Sequence, residues 1–213
     1  MSPRSAAWPS LRRPLVAILR GIRPEECRDI ITALLDAGFE AIEIPLNSPE
    51  PFRSIETAVR IAPPGCLIGA GTVLNVGNAD RLHATGSRLL VSPNVDPAVL
   101  SRAAEHGMVT MPGVFTSTEA LLALASGASA LKFFPASVLG PKGISAIAAV
   151  LPADTIIAAV GGVSDADFGD YAKAGIRAFG LGSSLYRPGM STSEVAERAR
   201  TTIRAYDRTF GSK

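Results

Sequence analysis

The sequence predicts a single-domain (β/α)8 barrel, and three observations support this prediction. Short apolar runs recur along the chain with their centres about 19–26 residues apart. Segments with helical patterns lie between these runs, and a glycine that can end a helix directly precedes several of them. The chain has 213 residues, which suits one barrel, because such barrels form single domains of about 200–250 residues.

The predicted strands are short and almost continuously apolar. Each run is too short for a helix, and such runs are typical of parallel strands that are covered on both faces. The eight runs are Leu15–Leu19, Ala41–Ile44, Leu67–Ala70, Leu89–Val91, Met108–Met111, Ala130–Phe133, Ile156–Val160 and Ala178–Leu181. An open doubly wound sheet is the alternative, but it usually has about five to seven strands, so eight evenly spaced units favour a closed barrel.

Helices are predicted between consecutive strands, with eight in total. The clearest helical patterns are Pro24–Asp36, Pro97–His106, Ser117–Ala125, a segment that opens at Ser164, and Ser193–Arg208. Gly38, Gly107 and Gly175 each follow such a pattern and precede a predicted strand. A glycine is favoured at this position because the residue after a helix often takes a left-handed conformation.

The composition indicates a folded domain and excludes several classes of protein. Hydrophobic residues make up 47% and charged residues 19% of the chain, which excludes extensive disorder. Twenty-one Lys and Arg residues against 19 Asp and Glu residues give a net charge of +2, so no nucleic-acid partner is expected. No apolar run approaches the roughly 18–20 residues of a membrane span, and no membrane partner is expected either.

One domain boundary is predicted near the amino terminus. We expect residues 14–209 to form the barrel and residues 1–13 to form a tail, in which Trp8 either anchors the tail to the bottom of the barrel or is disordered. The tail lacks the apolar stretch of a secretory signal, and Cys27 and Cys66 are too few for a disulfide framework. We therefore expect a cytoplasmic protein. Two cysteines and two histidines form no zinc motif. No cofactor is predicted.

Lys132 is the first candidate catalytic residue. Barrel enzymes have their active sites at the carboxyl ends of the strands, and Lys132 lies near such an end within the apolar segment Ala130–Pro135. An ammonium group there is costly unless it is paired or deprotonated. Lys132 is either a structural lysine that reaches solvent or an acid, or a desolvated amine that attacks a carbonyl carbon.

Glu43 favours the catalytic interpretation of Lys132. It is the only carboxylate in a predicted barrel strand, and a buried carboxylate needs a partner as much as a buried amine does. A Lys–Glu pair across the barrel satisfies both groups if both point inward. Such a pair contributes little to stability, because the cost of burial roughly cancels the attraction. As a site, it supplies an imine-forming amine and a general acid and base.

A phosphate site is predicted after the last two strands. Gly161 and Gly162 follow the seventh predicted strand, and Gly182, Ser183 and Ser184 follow the eighth. Barrels of this class often bind phosphate at this place, because glycines let backbone N–H groups approach and serines add donors. The alternative is that the glycines only turn the chain. The glycine-rich segments lack a complete dinucleotide motif, so no NAD site is predicted.

Arg20 ends the first predicted strand. A guanidinium group at the mouth of a barrel can bind a carboxylate through paired hydrogen bonds, although a surface salt bridge is the alternative. The two histidines, His83 and His106, fall in helical segments. We expect them at the surface rather than in the active site.

Seven motifs in a fixed order resemble a known family. They are Ile18–Gly21, Glu43–Pro49, Gly69–Val73, Ser92–Asn94, Leu131–Pro135, Val160–Val163 and Gly180–Ser183. Over about residues 14–209 the chain is similar to the class I aldolases of 2-keto-3-deoxy-6-phospho sugar acids, the KDPG/KDPGal aldolase family. The resemblance implies a barrel, usually a homotrimer, that releases pyruvate and glyceraldehyde 3-phosphate without a metal.

The resemblance also implies a role for each matching residue. Lys132 is expected to form a Schiff base with the substrate, and Glu43 to act as general acid and base. Arg20 and Thr72 match positions that hold the substrate carboxylate. The remaining expected contacts are Pro93 and Phe133 in the pyruvate pocket, and Gly161, Gly162, Gly182, Ser183 and Ser184 at the phosphate.

Two departures favour a galactonate-type substrate. Gluconate-type members of the family carry an arginine four residues after the catalytic glutamate, whereas this chain has Asn47 there and an arginine at Arg20. Those members also tend to have Thr before the paired glycines, where this chain has Val160. A lost hydroxyl should alter the selection between C4 epimers. We expect 2-dehydro-3-deoxy-6-phosphogalactonate as the substrate; the gluconate epimer or 4-hydroxy-2-oxoglutarate is the alternative.

Two functions of other classes are also compatible with these residues. One is another phosphosugar enzyme on the same barrel, such as an isomerase, in which Lys132 acts only by its charge. The other is a non-catalytic phosphosugar-binding barrel, which has no need of both Lys132 and Glu43. Borohydride trapping with pyruvate separates them from an aldolase, because only an imine becomes a permanent adduct.

Overall fold

The computed structural model describes residues 5–211. Within this range the chain forms nine parallel strands, eight α-helices and one short 3-10 helix, Asp165–Asp167. The strands are β1 (Leu15–Ile18), β2 (Ala41–Pro45), β3 (Leu67–Gly71), β4 (Leu89–Val91), β5 (Val109–Met111), β6 (Gly113–Val114), β7 (Leu131–Phe133), β8 (Ile157–Val160) and β9 (Ala178–Leu181). The helices are α1 (Pro24–Ala37), α2 (Pro51–Ile61), α3 (Val76–Ala84), α4 (Pro97–Glu105), α5 (Ser117–Ala125), α6 (Ala136–Ala148), α7 (Phe168–Lys173) and α8 (Thr192–Phe210).

The nine strands form a closed barrel of eight. Their order in the sheet is β5-β4-β3-β2-β1-β9-β8-β7-β6, and only Pro112 separates β5 from β6 along the chain. Proline has no N–H to donate and interrupts the ladder, but the carbonyl of Pro112 accepts a hydrogen bond of 2.9 Å from the N–H of Lys132. The fifth strand is therefore split into two halves, one paired with β4 and the other with β7. The predicted (β/α)8 barrel is confirmed.

Alternation along the strands divides the core into two layers. Val16 and Ile18 of β1 belong to an apolar cluster inside the barrel, whereas Leu15 packs between the strands and the helices. The same alternation turns Glu43 of β2 and Lys132 of β7 inward. With β5 and β6 counted as one strand, β2 and β7 lie four strands apart in either direction. The two charged side chains therefore come from opposite walls.

The helix ends follow the glycine signals in the sequence. Gly38, Gly107 and Gly175 have φ angles of +103°, +63° and +80°, the left-handed conformation that glycine adopts without strain. The segment that opens at Ser164 differs from the prediction in part, because it begins as the 3-10 helix and continues as α7. No helix among residues 5–211 is both long enough and apolar enough to cross a membrane.

The described part of the tail covers the amino end of the barrel. The N–H of Ala6 donates to the carbonyl of Met108 at 2.9 Å, and the hydroxyl of Ser129 donates to the carbonyl of Ala6 at 2.6 Å. Leu11 is buried in the inner apolar cluster, and the half-buried Trp8 packs against it. Trp8 thus lies against the bottom of the barrel.

Arg13 joins the tail to the last helix. Its Nε and Nη2 atoms donate to the two carboxylate oxygens of Asp207 in α8, each at 2.7 Å. These bonds raise the pKa of Arg13 and lower the pKa of Asp207. A paired contact of this kind fixes the orientation of both groups. The division into residues 1–13 and 14–209 stays a prediction, and residues 1–4 lie outside the described residues.

Candidate active site

A cavity of about 280 Å³ opens at the carboxyl ends of the strands. The residues that line it are Ile18, Arg20, Lys132, Phe134, Val160, Gly161, Gly162, Val163, Gly182, Ser183, Tyr186, Arg187 and Pro188. This lining includes three basic side chains and, within residues 5–211, no acidic side chain. Such a lining favours a small anionic ligand.

A larger cavity of about 620 Å³ lies at the other end of the barrel, beneath the tail. None of the predicted site residues lines it. In barrel enzymes the chemistry occurs at the carboxyl ends of the strands, whereas the other end serves stability. The smaller cavity is therefore the candidate active site.

Lys132 reaches this cavity from inside the barrel. The residue is only 5% exposed, and its Nζ atom lies 4.7 Å from the centre of the Phe134 ring. Burial lowers the pKa of Lys132, the charge of Glu43 raises it, and the nearby charge of Arg20 lowers it further. The net direction is downward, which favours the neutral, nucleophilic form of the amine.

Glu43 is buried more completely than Lys132. It is 1% exposed, and its Oε2 atom has no hydrogen-bond partner among residues 5–211. Burial raises the pKa of Glu43 to about 7, although the charges of Lys132 and Arg20 and the backbone of Gly71 act in the opposite direction. A carboxyl group with a pKa near 7 can both donate and accept a proton at neutral pH. Glu43 does not itself line the cavity.

The end of β3 is shaped around Glu43. A Cβ atom at Gly71 would overlap the carboxylate of Glu43, so only glycine fits beside it. The next residue, Thr72, has a φ angle of +58°, which is rare and strained for a β-branched side chain. Thr72 lies half-buried at the mouth of the barrel, although it does not line the cavity. Strain of this kind often marks a functional site.

Arg20 and Asn47 lie side by side at the same mouth. The Nη1 atom of Arg20 donates to the Oδ1 atom of Asn47 at 2.6 Å. Arg20 follows β1 and Asn47 follows β2, and these strands are paired at Ile18 and Glu43. The side chain of Arg20 therefore reaches Asn47, the residue four positions after Glu43.

Most of the predicted phosphate residues line the cavity. Those that do are Gly161, Gly162, Gly182 and Ser183. Gly161 and Gly162 have φ angles of +92° and +72°, so the backbone turn there requires glycine. Ser184 does not line the cavity, and its hydroxyl donates to the carbonyl of Val163 at 3.0 Å.

Arg187 is a cavity residue that sequence reasoning missed. It lies in the loop after β9, and its Nε atom donates to the carbonyl of Ser183 at 2.9 Å. The signal available in the sequence was a basic residue only four positions after Ser183, close to the predicted phosphate site. Nothing local in the sequence showed that the loop turns this side chain toward the glycines.

The expected pyruvate-pocket residues are placed differently. The alternation that turns Lys132 inward turns Phe133 outward, where it is fully buried between the strands and the helices. Phe134 lines the cavity in its place. Pro93 is half-buried at the end of β4, with its carbonyl so close to Gly113 that a Cβ atom there would overlap it, and it does not line the cavity.

No metal-binding cluster accompanies this site. Among residues 5–211, no group of three or more His, Cys, Asp and Glu side chains is placed to hold a metal ion. His83 and His106 stack on each other with ring centres 4.0 Å apart, and neither lines the cavity. The absence of a cofactor stays a prediction.

The parts described so far define a class of protein. A buried amine and a buried carboxyl face each other across a closed parallel barrel, beside a cationic cavity. The amine can attack a carbonyl carbon, and the carboxyl can move protons. The arrangement is that of a lysine-dependent barrel enzyme for small anionic carbonyl compounds.

Comparison with known proteins identifies the family. Residues 10–201 match the profile of the KDPG and KHG aldolases, and the chain belongs to this family. It is accordingly an aldolase, a carbon–carbon lyase. The resemblance seen in the seven sequence motifs is confirmed.

Individual relatives cover almost the whole chain. The chain is 66% identical over 205 residues to a probable 2-dehydro-3-deoxy-6-phosphogalactonate aldolase of Rhizobium meliloti (strain 1021), covering 96% of this chain and 97% of that protein. It is 47% identical to the 2-dehydro-3-deoxy-6-phosphogalactonate aldolase of Escherichia coli (strain K12), over 91% of this chain and 94% of that one. A solved structure titled "Native KDPGal structure" matches with a TM-score of 0.92 and 45% identity, covering 95% of this chain and 98% of that one.

Proposed function

We propose that this aldolase cleaves 2-dehydro-3-deoxy-6-phospho-D-galactonate to pyruvate and D-glyceraldehyde 3-phosphate through a Schiff base on Lys132. The observation that supports this most is the buried Lys132 amine at a cavity that also contains Arg20 and Arg187 and, within residues 5–211, no acid. The substrate carries a ketone for the amine and two anionic groups for the arginines. The galactonate-type names of the two relatives support the choice of epimer.

The reaction begins with imine formation. The neutral Nζ of Lys132 attacks C2 of the ketone and gives a carbinolamine. Glu43 donates a proton to the departing hydroxyl, which leaves as water, and an iminium ion remains. Burial lowers the pKa of Lys132 and raises the pKa of Glu43 to about 7, and these shifts favour the neutral amine and the protonated carboxyl group that this step uses.

Cleavage follows from the electron demand of the iminium ion. Glu43, now a carboxylate, removes the proton of the C4 hydroxyl, and the electron pair of the C3–C4 bond moves toward the iminium nitrogen. Glyceraldehyde 3-phosphate leaves, and an enamine remains on Lys132. Glu43 returns its proton to C3 of the enamine, and water then hydrolyses the resulting iminium ion to release pyruvate and the free amine.

The two ends of the substrate are bound by different elements. We assign the carboxylate to Arg20, which follows β1, and to Thr72, which follows β3. We assign the phosphate to the backbone of Gly161 and Gly162 with Ser183. Arg187, Gly182 and Ser184 complete the phosphate site, Arg187 by its charge and Ser184 by holding the loop through the carbonyl of Val163. The phosphate is remote from the broken bond, so its binding energy orients the substrate.

Borohydride trapping and kinetics together test this function. Pyruvate with borohydride should add a permanent mass to the peptide that contains Lys132, and Lys132→Arg should take up none. Steady-state rates should be higher for the galactonate epimer than for the gluconate epimer or 4-hydroxy-2-oxoglutarate. The reverse preference would move the protein to another member of the family. Sugar phosphate binding without an adduct would favour a non-catalytic barrel.

We also infer a homotrimer. Large apolar side chains at Leu74, Phe115, Leu121 and Leu122 are 38–49% exposed, and a partner subunit that covers them would remove this apolar surface from water. They follow β3, follow β6 and lie on α5. Sedimentation equilibrium should give three times the chain mass of 22.1 kDa, and Leu121→Glu with Leu122→Glu should lower it. A monomer at micromolar concentration would contradict the inference.

A cytoplasmic location forms part of the same proposal. Cys27 and Cys66 are free thiols, as is usual in a reducing compartment. Burial raises the pKa of Cys27 to about 12, so this thiol is kept unreactive. Fractionation of the producing cells, followed by immunodetection of the chain, tests the location.

A further inference from the structure

We propose that Asn47 is a positioning residue that holds the guanidinium of Arg20 at the cavity wall and thereby sets the affinity for the substrate carboxylate. This inference rests on the proposed function, in which Arg20 binds that carboxylate. It assigns to Asn47 a role through Arg20 rather than a contact with the reacting atoms.

The contact between the two side chains is short and exclusive. Nη1 of Arg20 and Oδ1 of Asn47 are 2.6 Å apart, and this is the only side-chain hydrogen bond of Arg20 among residues 5–211. Both side chains are exposed. An exposed arginine without a partner would populate many rotamers, and fixing it on the ligand would cost affinity.

The hydrogen-bond partner of Arg20 is the neutral side-chain amide of Asn47. Within residues 5–211 no acidic side chain forms an ion pair with Arg20. The amide of Asn47 can therefore fix the guanidinium without cancelling its charge. Nη1 is used by Asn47, which leaves the edge formed by Nε and Nη2 for a carboxylate. That edge is one of the two that bind carboxylates through paired hydrogen bonds.

Asn47 is itself on a rigid support. The N–H of Gly21 donates to the hydroxyl of the buried Ser48 at 2.9 Å, and the N–H of Leu19 donates to the carbonyl of Glu43 at 3.0 Å. These bonds tie the segment after β1 to β2 and to the loop that follows β2, on both sides of the Arg20–Asn47 contact. The contact therefore joins two fixed backbones, and the longer arginine side chain has the greater conformational freedom to lose.

A double-mutant cycle tests the proposal. Asn47→Leu keeps the shape but removes the acceptor, and it should raise KM for the galactonate-type substrate by about 5–10-fold with kcat within about twofold. In the Arg20→Ala background the same substitution should change KM by less than about twofold, because its effect passes through the arginine. Asn78→Leu, at a half-buried position of α3 that does not line the cavity, serves as the matched control and should leave KM unchanged.

Asn47→Asp supplies a second readout. It keeps the oxygen acceptor but adds a negative charge beside Arg20. The pH at which borohydride trapping of pyruvate is half-maximal should therefore rise, because Arg20 lowers the pKa of Lys132 and the new charge opposes it.

Distinct results overturn the positioning role and the proposed function. If the wild type cleaves substrate and Arg20→Ala is impaired, but Asn47→Leu has the same effect in both backgrounds or none, Asn47 does not act through Arg20. If the wild type gives no pyruvate adduct at all, the proposed function fails and the positioning role fails with it.

Discussion

Charged groups are paired at the amino end of the barrel, whereas at its carboxyl end they are buried without close partners. At the amino end, Arg13 and Asp207 form two hydrogen bonds of 2.7 Å. At the carboxyl end, Glu43 is buried with an unpartnered oxygen, and burial lowers the pKa of Lys132. Trp8 and Thr155 at the amino end also carry one unpartnered buried atom each, but neither is charged.

This difference separates stability from chemistry along the barrel axis. Paired charges with good geometry stabilise a fold, whereas buried charges without close partners cost stability and persist where function needs them. Substitutions at the carboxyl end should therefore reduce turnover, and those at the amino end should reduce the free energy of unfolding.

Lys132 should show the largest effect. Lys132→Ala and Lys132→Arg should each lower kcat by at least about 10³-fold, because neither side chain can form the imine at neutral pH. Arginine keeps the positive charge and so controls for electrostatics. Rapid-quench or coupled assays measure the residual rate, and appreciable turnover by Lys132→Arg would remove the imine mechanism.

Glu43 should affect turnover and stability in opposite directions. Glu43→Gln should lower kcat by about 10²–10⁴-fold, the usual contribution of a general acid and base. Its folded pKa of about 7 lies above the ordinary value of 4.5, so the native state binds more protons than the unfolded state between these pH values. Wild-type stability therefore falls as pH rises through this window.

Glutamine has no such titration. The variant should consequently be more stable relative to wild type at pH 8 than at pH 5, as measured by urea unfolding at both values. An identical stability difference at the two pH values would mean that Glu43 titrates normally in the folded protein.

Arg20 tests carboxylate recognition at the same end. Arg20→Ala should reduce kcat/KM by about 10–150-fold, the equivalent of about 1.5–3 kcal/mol for a paired contact with a carboxylate. Asn47→Ala should do less. Steady-state kinetics on the galactonate and gluconate epimers measure both effects. Wild-type behaviour of Arg20→Ala, or a strong preference of the unmodified enzyme for the gluconate epimer, would refute the galactonate assignment.

A substitution at Arg13 tests the contribution of the amino end of the barrel to stability. Arg13→Met should lower the free energy of unfolding by about 2 kcal/mol, because it leaves the carboxylate of Asp207 without its partner. The melting temperature should fall by about 4–8 °C, with kcat/KM within about twofold. Arg12→Met, next to it and exposed, is the control. A large loss of activity at a temperature where the variant is still folded would contradict the prediction that the amino end serves stability and not turnover.

Chelation should have the smallest effect. Activity should be unchanged after incubation with EDTA, because the proposed mechanism uses an amine and a carboxyl group and no metal. Loss of activity that a divalent ion restores would instead indicate a metal-dependent aldolase.

Local patterns made the barrel predictable. Every strand of the structure overlaps a predicted apolar run or, for β6, continues one beyond Pro112. The split of the fifth strand was missed, because an apolar run does not show how a proline interrupts hydrogen bonding with two neighbours. The glycines that end helices were visible because a single residue with a special φ angle carries that signal.

The site was predictable only in part, for a similar reason. Lys132 and Glu43 were visible because a charge inside an apolar strand is conspicuous. Phe133 was assigned to the pyruvate pocket from the family resemblance, although strict alternation with Lys132 turns its side chain outward. Arg187 lies in a polar loop, and the fit of Gly71 against Glu43 depends on two separate strands, so neither follows from one stretch of sequence.

The pairing of β1 with β9 delays completion of the fold during synthesis. Leu15 lies opposite Phe179 and Ala17 opposite Leu181, so one edge of the first strand waits for a partner near the end of the chain. At a ribosomal rate of about 5–20 residues per second, that wait is roughly 10–30 s. Until then β1 is an open edge with apolar side chains on both faces, which is the kind of surface that chaperones bind and that aggregates when crowded.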